Sequence, residues 1–165
     1  MSSSIYVAFP LMALLTVIQT AVLPRFPLLD MTPIIPFLVA LSWGLLRGIN
    51  EGLVWGFIAG IFIDLFSLVP IGVSALAFMG GITAVLFIQR ILPISHFLLP
   101  ALFAALASLI YLIIYFALLT IFGLGNLSVA TSLLSLILLH AALNLPIYWL
   151  MRYTYRAIRP PRVEL

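Results

Sequence analysis

The chain has 165 residues, of which 65% are hydrophobic and 7% charged, and its mean hydropathy is +1.35. A water-soluble globule needs more polar surface than these residues supply, so the composition excludes one and predicts a polytopic membrane protein. The absence of cysteine excludes a disulfide, a thiolate nucleophile and a cysteine metal site.

Six apolar segments, separated by Pro, Gly or Asn, predict an all-α integral membrane protein with six transmembrane helices. They are residues 5–23, 33–46, 52–68, 72–89, 97–122 and 129–151. No soluble domain or linker stands out in the sequence. We therefore interpret residues 1–165 as one membrane domain, with residues 152–165 as a basic cytoplasmic tail.

The second segment is short. As a helix, residues 33–46 would span about 21 Å of a hydrocarbon core that is about 30 Å thick. A re-entrant segment and a locally thinned bilayer are both compatible with this length. Fusion with the third segment would bury Arg47 and Glu51 in the middle of one long helix, so we predict a hairpin that turns at Gly48-Ile49-Asn50.

The arginines indicate how the segments are oriented. With six crossings, Arg25 stands alone on one side, and the other side carries Arg47, Arg90, Arg152, Arg156, Arg159 and Arg162. The positive-inside rule then predicts that both termini are cytoplasmic. Asp30 and the Asp64 end of the third segment would face outward.

Small residues recur at steps of four along the third segment. Gly52, Gly56 and Gly60 therefore share one helix face, which lets another backbone approach closely. The approaching backbone can belong to another helix of this chain or to the membrane helix of a partner. Both interpretations follow from the same spacing.

Asp64 continues the same stripe, close to the end of the segment. A carboxylate at this position is costly unless it meets water or a partner. We predict that Asp64 forms an outer polar anchor with the turn that contains Pro70 and Gly72. Catalysis or ion transport would require a second acid at a similar depth, and only Asp30 lies in a position to approach.

The last segment carries a polar stripe, again at steps of four. It consists of His140, Asn144 and Tyr148 and leads to Arg152. Inside a membrane such a stripe faces protein or water, so it indicates either a proton relay or a ladder of interhelical hydrogen bonds. We favour the ladder.

The chain ends in a run of basic and aromatic residues. Its position directly after a membrane helix favours contact with anionic lipid headgroups over nucleic acid. The lipid-facing residues would be Arg152, Arg156, Arg159 and Arg162.

Motifs of enzymes and cofactor sites are missing from the sequence. It has no P-loop, no HExxH and no Gly-x-Ser-x-Gly. The two histidines, His96 and His140, lie on different segments, so no metal site is predicted. We expect a protein that is not an enzyme and holds no cofactor.

The run GLLRGINEGLVWGFIAGIFIDLFSLVPIGVSALAFMGG, from Gly44 to Gly81, resembles the rod shape-determining protein MreD family. The shared features are an Arg-Gly turn, spaced glycines, an Asp-Leu pair near a helix end and a Pro-x-Gly turn before a small-residue helix. Here these are Arg47-Gly48, Gly52, Gly56, Gly60, Asp64-Leu65, Pro70-Ile71-Gly72 and Ala75.

The resemblance implies a non-enzymatic membrane scaffold of the bacterial elongasome, located in the cytoplasmic membrane. Such a protein binds MreC and works near RodA, a class B penicillin-binding protein and MreB during lateral peptidoglycan synthesis. The resemblance also implies a fold like that of the substrate-binding components of energy-coupling-factor transporters. The partner helix of MreC would pack on Gly52, Gly56 and Gly60.

Two other functions are compatible with the sequence. The first is a substrate-binding component of an energy-coupling-factor vitamin transporter, which would need several convergent polar groups in its outer loops. The second is an intramembrane hydrolase or proton-coupled carrier that uses Asp64 and His140. We rank it last, because neither residue has an evident partner at its own depth.

Overall fold

The structure is a computed structural model that describes residues 4–25, 32–92, 96–124 and 130–158. These contain six α-helices: α1 (Ser4–Ala21), α2 (Ile35–Arg47), α3 (Ile49–Leu65), α4 (Val73–Ile91), α5 (Leu99–Ile121) and α6 (Ala130–Ile158). The prediction of an all-α protein is thereby confirmed. Asp30, Arg159 and Arg162, which the sequence analysis singled out, lie outside the described residues.

Three helices are long and apolar enough to cross a membrane, namely α4, α5 and the part of α6 from Leu133 to Ala157. The helices α1, α2 and α3 are shorter, with 18, 13 and 17 residues. A membrane protein is therefore supported, and the crossing of all six helices stays a prediction.

Several helix boundaries differ from those predicted, and two of the differences concern the α2–α3 turn and the end of α6. The turn between α2 and α3 consists of Gly48 alone, because α3 begins at Ile49 rather than at residue 52. Gly48 has a φ of 95°, which glycine adopts without steric cost. α6 continues to Ile158, so residues 152–158 are helical; long arginine side chains keep their charges in water without ending the helix.

α2 is the central helix of the bundle. It contacts the other five helices, and these follow one another around it in the order α1, α3, α4, α5, α6. Every residue from Pro36 to Ser42 is buried. A helix that is buried on all sides can be apolar on all sides, which explains why this short segment lacks a polar face.

Aromatic rings fill the middle of the bundle around α2. The ring of Phe37 lies 4.9 Å from that of Phe78 on α4 and 5.3 Å from that of Tyr111 on α5. Phe78 and Tyr111 meet edge to face at 5.2 Å. Such pairs add to the burial of apolar area and hold α2, α4 and α5 together.

Candidate functional site

The polar stripe of α6, formed by His140, Asn144 and Tyr148, faces the inside of the bundle, and all three residues are buried. His140 Nε2 accepts a hydrogen bond of 3.0 Å from the backbone N–H of Ile34, directly before α2. His140 Nδ1 lies 2.7 Å from Ser108 Oγ on α5. One side chain of α6 therefore joins α2 and α5.

Asn144 repeats this linkage one turn further along α6. Its Oδ1 accepts a hydrogen bond of 3.0 Å from Ser42 Oγ on α2, and its Nδ2 donates to the Pro100 carbonyl oxygen on α5 at 2.8 Å. Both polar atoms of this side chain are thus hydrogen-bonded to neighbouring helices. The geometry is that of an interhelical ladder, since each contact ends on a backbone group or a neutral side chain.

Besides the bond from Ile34 to His140, the start of α2 is capped by a side chain of α1. The backbone N–H of Ile35 donates to Gln19 Oε1 at 3.0 Å. The first N–H groups of a helix lack internal acceptors, and inside an apolar bundle they need side-chain partners. Gln19 and Ser42 were not singled out in the sequence; their only signal is that they are polar residues within apolar segments.

Asp64 caps the start of α4. Its Oδ2 accepts a hydrogen bond of 2.7 Å from the N–H of Gly72, and the N–H of Ser74 lies 3.1 Å from both carboxylate oxygens. Gly72 adopts a φ of 104°, a left-handed conformation that glycine reaches without steric cost. Pro70 lies in the same turn, where its carbonyl oxygen accepts from Val73 N–H at 3.3 Å.

The glycine face of α3 (Gly52, Gly56 and Gly60) packs inside this chain. A Cβ atom on Gly52 would lie 2.9 Å from Gly44 Cα of α2, and one on Gly56 would lie 2.7 Å from Ile82 Cδ1 of α4. A Cβ atom on Gly60 would collide with the backbone of Ala75 on α4. A partner helix can occupy this face only if it displaces α4.

Charged and aromatic residues gather at the end of the bundle where α2 meets α3. Arg47 and Glu51 form an ion pair at 2.6 Å. Glu51 Oε2 also accepts a hydrogen bond from Trp43 Nε1 at 2.9 Å. Arg47 Nη1 lies 3.4 Å from Tyr155 Oη, so this cluster ties the α2–α3 turn to the end of α6.

The described arginines divide unequally between the two ends of the bundle. Arg47 and Arg90 share one end, because Gln89 Nε2 donates to the Leu45 carbonyl oxygen at 2.9 Å. Arg152 and Arg156 belong to the same end, which we call the arginine end, through the contact of Tyr155 with Arg47. Arg25 follows α1 at the opposite end. Arg152 stacks on Trp149, with 4.8 Å between its guanidinium carbon and the ring centre.

These contacts hold neighbouring helices in place against one another. Among the described residues, no group of three or more His, Cys, Asp or Glu side chains comes together to hold a metal ion. The buried groups Asp64, His140 and Asn144 bind backbone atoms and neutral side chains of neighbouring helices. The site is therefore a set of links around α2 and at the α3–α4 turn.

The fold and these links define a compact α-helical membrane bundle in which buried polar side chains join the helices. The chain belongs to the family of the rod shape-determining protein MreD, whose family model matches residues 2–158. It is accordingly a membrane protein with a role in determining rod shape. Among curated proteins and among solved structures, no match to the chain is found.

Proposed function

We propose that this chain is a non-enzymatic membrane scaffold of the elongasome, which binds MreC and supports lateral peptidoglycan synthesis. The observation that carries this proposal is the match to the MreD family across residues 2–158. RodA, a class B penicillin-binding protein and MreB are the further partners that we propose. The more general function, a part in determining cell shape, follows from membership of the family.

The interior of the bundle supports a scaffold over a small-molecule binder. A vitamin-binding component needs a pocket with several convergent polar groups. The middle of this bundle instead holds the packed rings of Phe37, Phe78 and Tyr111. His140 and Asn144 next to them are bonded to other helices of the chain.

The distribution of arginines supports an orientation in the cytoplasmic membrane. Arginines on one side of a membrane protein favour retention of that side in the cytoplasm. We propose that the arginine end is cytoplasmic, with both chain termini on that side. The α3–α4 turn with Asp64, Pro70 and Gly72 would then face outward, toward the periplasmic part of MreC.

Co-purification in mild detergent tests the proposed function. The full chain is expressed with the MreC of its host, once complete and once without the membrane helix of MreC. We expect a stable complex that depends on that helix. Failure of the complete MreC to co-purify, together with a small molecule retained by the purified chain, would instead support a transporter component.

A further inference from the structure

One face of α6 carries a tryptophan and two arginines at the arginine end of the bundle. Arg152 follows Trp149 by three residues and Arg156 follows it by seven, so they lie within about 60° and about 20° of Trp149 around the helix axis. The guanidinium carbon of Arg152 is 4.8 Å from the centre of the Trp149 ring. Because the N–H donors of a guanidinium lie in its own plane, stacking on a ring orients them and leaves them available.

The Trp149 ring is itself held in place from the start of α5. Phe97, two residues before α5, stacks on Trp149 with 5.4 Å between the ring centres and 22° between the ring planes. Asn144 of α6 donates to the Pro100 carbonyl oxygen of α5 at 2.8 Å, which keeps the start of α5 against α6. The surface on which Arg152 lies is therefore built from two helices.

The charges of Arg152 and Arg156 are not balanced by a carboxylate among the described residues. Side chains four residues apart on a helix begin about 6 Å from each other, and like charges at this spacing repel. The described acid at this end of the bundle is Glu51, which bonds to Arg47 and Trp43. An anion between the two arginines would relieve the repulsion, and a phosphate group suits them because its oxygens accept paired guanidinium N–H bonds.

The position of the two arginines favours a phosphate group that belongs to a lipid. The candidate membrane span of α6 ends at Ala157, so Arg152 begins about 8 Å inside that end, and its long side chain reaches the headgroup level. Beside the stacked rings, Phe97 and Leu98 are 60% and 65% exposed. An anionic phospholipid matches both parts of this surface, since it joins a phosphate group to apolar chains.

We propose that Arg152 and Arg156 bind the phosphate group of one anionic phospholipid, whose acyl chains lie on Phe97 and Leu98. Trp149 is a positioning residue, because it acts through the guanidinium that stacks on it. The site does not depend on MreC, so this proposal and the proposed function can fail separately.

Native mass spectrometry of the full chain in detergent tests the site, with phosphatidylglycerol as the probe. We expect one lipid per chain to be retained most tightly. Trp149→Leu should weaken its binding about 3- to 10-fold, the range for loss of one cation–π contact. Trp149→Phe keeps an aromatic face under Arg152 and should recover most of the binding. The matched control is Phe87→Leu, which removes the ring under Arg90, an arginine with no second arginine one turn away.

A cycle of arginine variants keeps the test decisive if Trp149→Leu folds poorly. Relief of the repulsion between Arg152 and Arg156 is lost in either single glutamine variant, so it can be lost only once. The variant that carries both Arg152→Gln and Arg156→Gln should therefore bind more tightly than the product of the two single losses predicts. Arg152→Gln combined with Arg90→Gln is the control and should give the product.

Two results would overturn the proposal. Unchanged binding in a folded Trp149→Leu variant, or losses for Arg152→Gln and Arg156→Gln that simply multiply, would show independent surface charges rather than one site. Glycerol 3-phosphate distinguishes the source of the phosphate group. If this soluble ester binds as tightly as phosphatidylglycerol and competes with it, the site takes a free phosphate ester, and the assignment to a lipid is wrong.

Discussion

His140 on α6 and Ile34 before α2 are joined by a hydrogen bond of 3.0 Å. Since the backbone N–H of Ile34 is the donor, Nε2 of the ring is the acceptor, and the proton of the neutral ring is on Nδ1. Nδ1 then donates to Ser108 Oγ, 2.7 Å away. With this assignment both ring nitrogens are hydrogen-bonded. His140 of α6 thereby links the start of the central helix α2 to α5.

We expect His140→Ala to lower the free energy of unfolding by about 1–3 kcal/mol, because it leaves the partly buried N–H of Ile34 and the buried hydroxyl of Ser108 without their partner. His140→Gln should recover part of the loss, since an amide can accept from Ile34 and donate to Ser108. Thermal unfolding in detergent measures both variants. His96→Ala, which changes an exposed histidine, is the control. Equal midpoints for His140→Ala and the control would contradict the capping role.

Removal of the carboxylate at position 64 should loosen the α3–α4 turn. Asp64→Ala leaves the N–H groups of Gly72 and Ser74 without their acceptor, and we expect a loss of about 1–3 kcal/mol in unfolding free energy. Asp64→Asn keeps one oxygen and should lose less. Hydrogen exchange at these two amides reports the effect directly. Unchanged protection in Asp64→Ala would show that the cap does not hold this turn.

The glycines of α3 should differ in their tolerance of a methyl group. Gly60→Ala places the methyl group against the backbone of Ala75, which can move only if α3 and α4 separate. Gly56→Ala meets the flexible end of the Ile82 side chain at 2.7 Å. We expect Gly60→Ala to cost about 1–3 kcal/mol or more, and Gly56→Ala to cost less. The reverse order in thermal unfolding would contradict the packing of Gly60 on α4.

Arginines near the end of α6 should contribute to binding of anionic lipid. We expect Arg152→Gln and Arg156→Gln each to weaken the binding of phosphatidylglycerol to the detergent-solubilised protein, by about fivefold per residue. The reason is the loss of one positive charge at the arginine end of the bundle. Arg25→Gln, at the opposite end, changes the net charge equally and serves as the control. Equal losses for all three variants would indicate a general charge effect.

The periodicity of polar and small residues predicted which residues share a face, but not what that face meets. Steps of four placed His140 and Asn144 on one face of α6, yet their partners Ser108 and Pro100 are residues of α5. The glycine spacing of α3 was compatible with a partner helix and with an internal one. The structure places α4 against it, because Ala75 on α4 lets the two backbones approach closely.

Hydrophobic content and the spacing of Pro, Gly and Arg were sufficient to predict an all-α membrane protein and its family resemblance. These features depend on transfer into lipid and on local backbone preferences, which each segment carries by itself. The central position of α2 and the caps on its start were decided only by tertiary structure. They depend on contacts between residues far apart in the chain, as between Ile34 and His140, and a single helix cannot specify which surface opposes it.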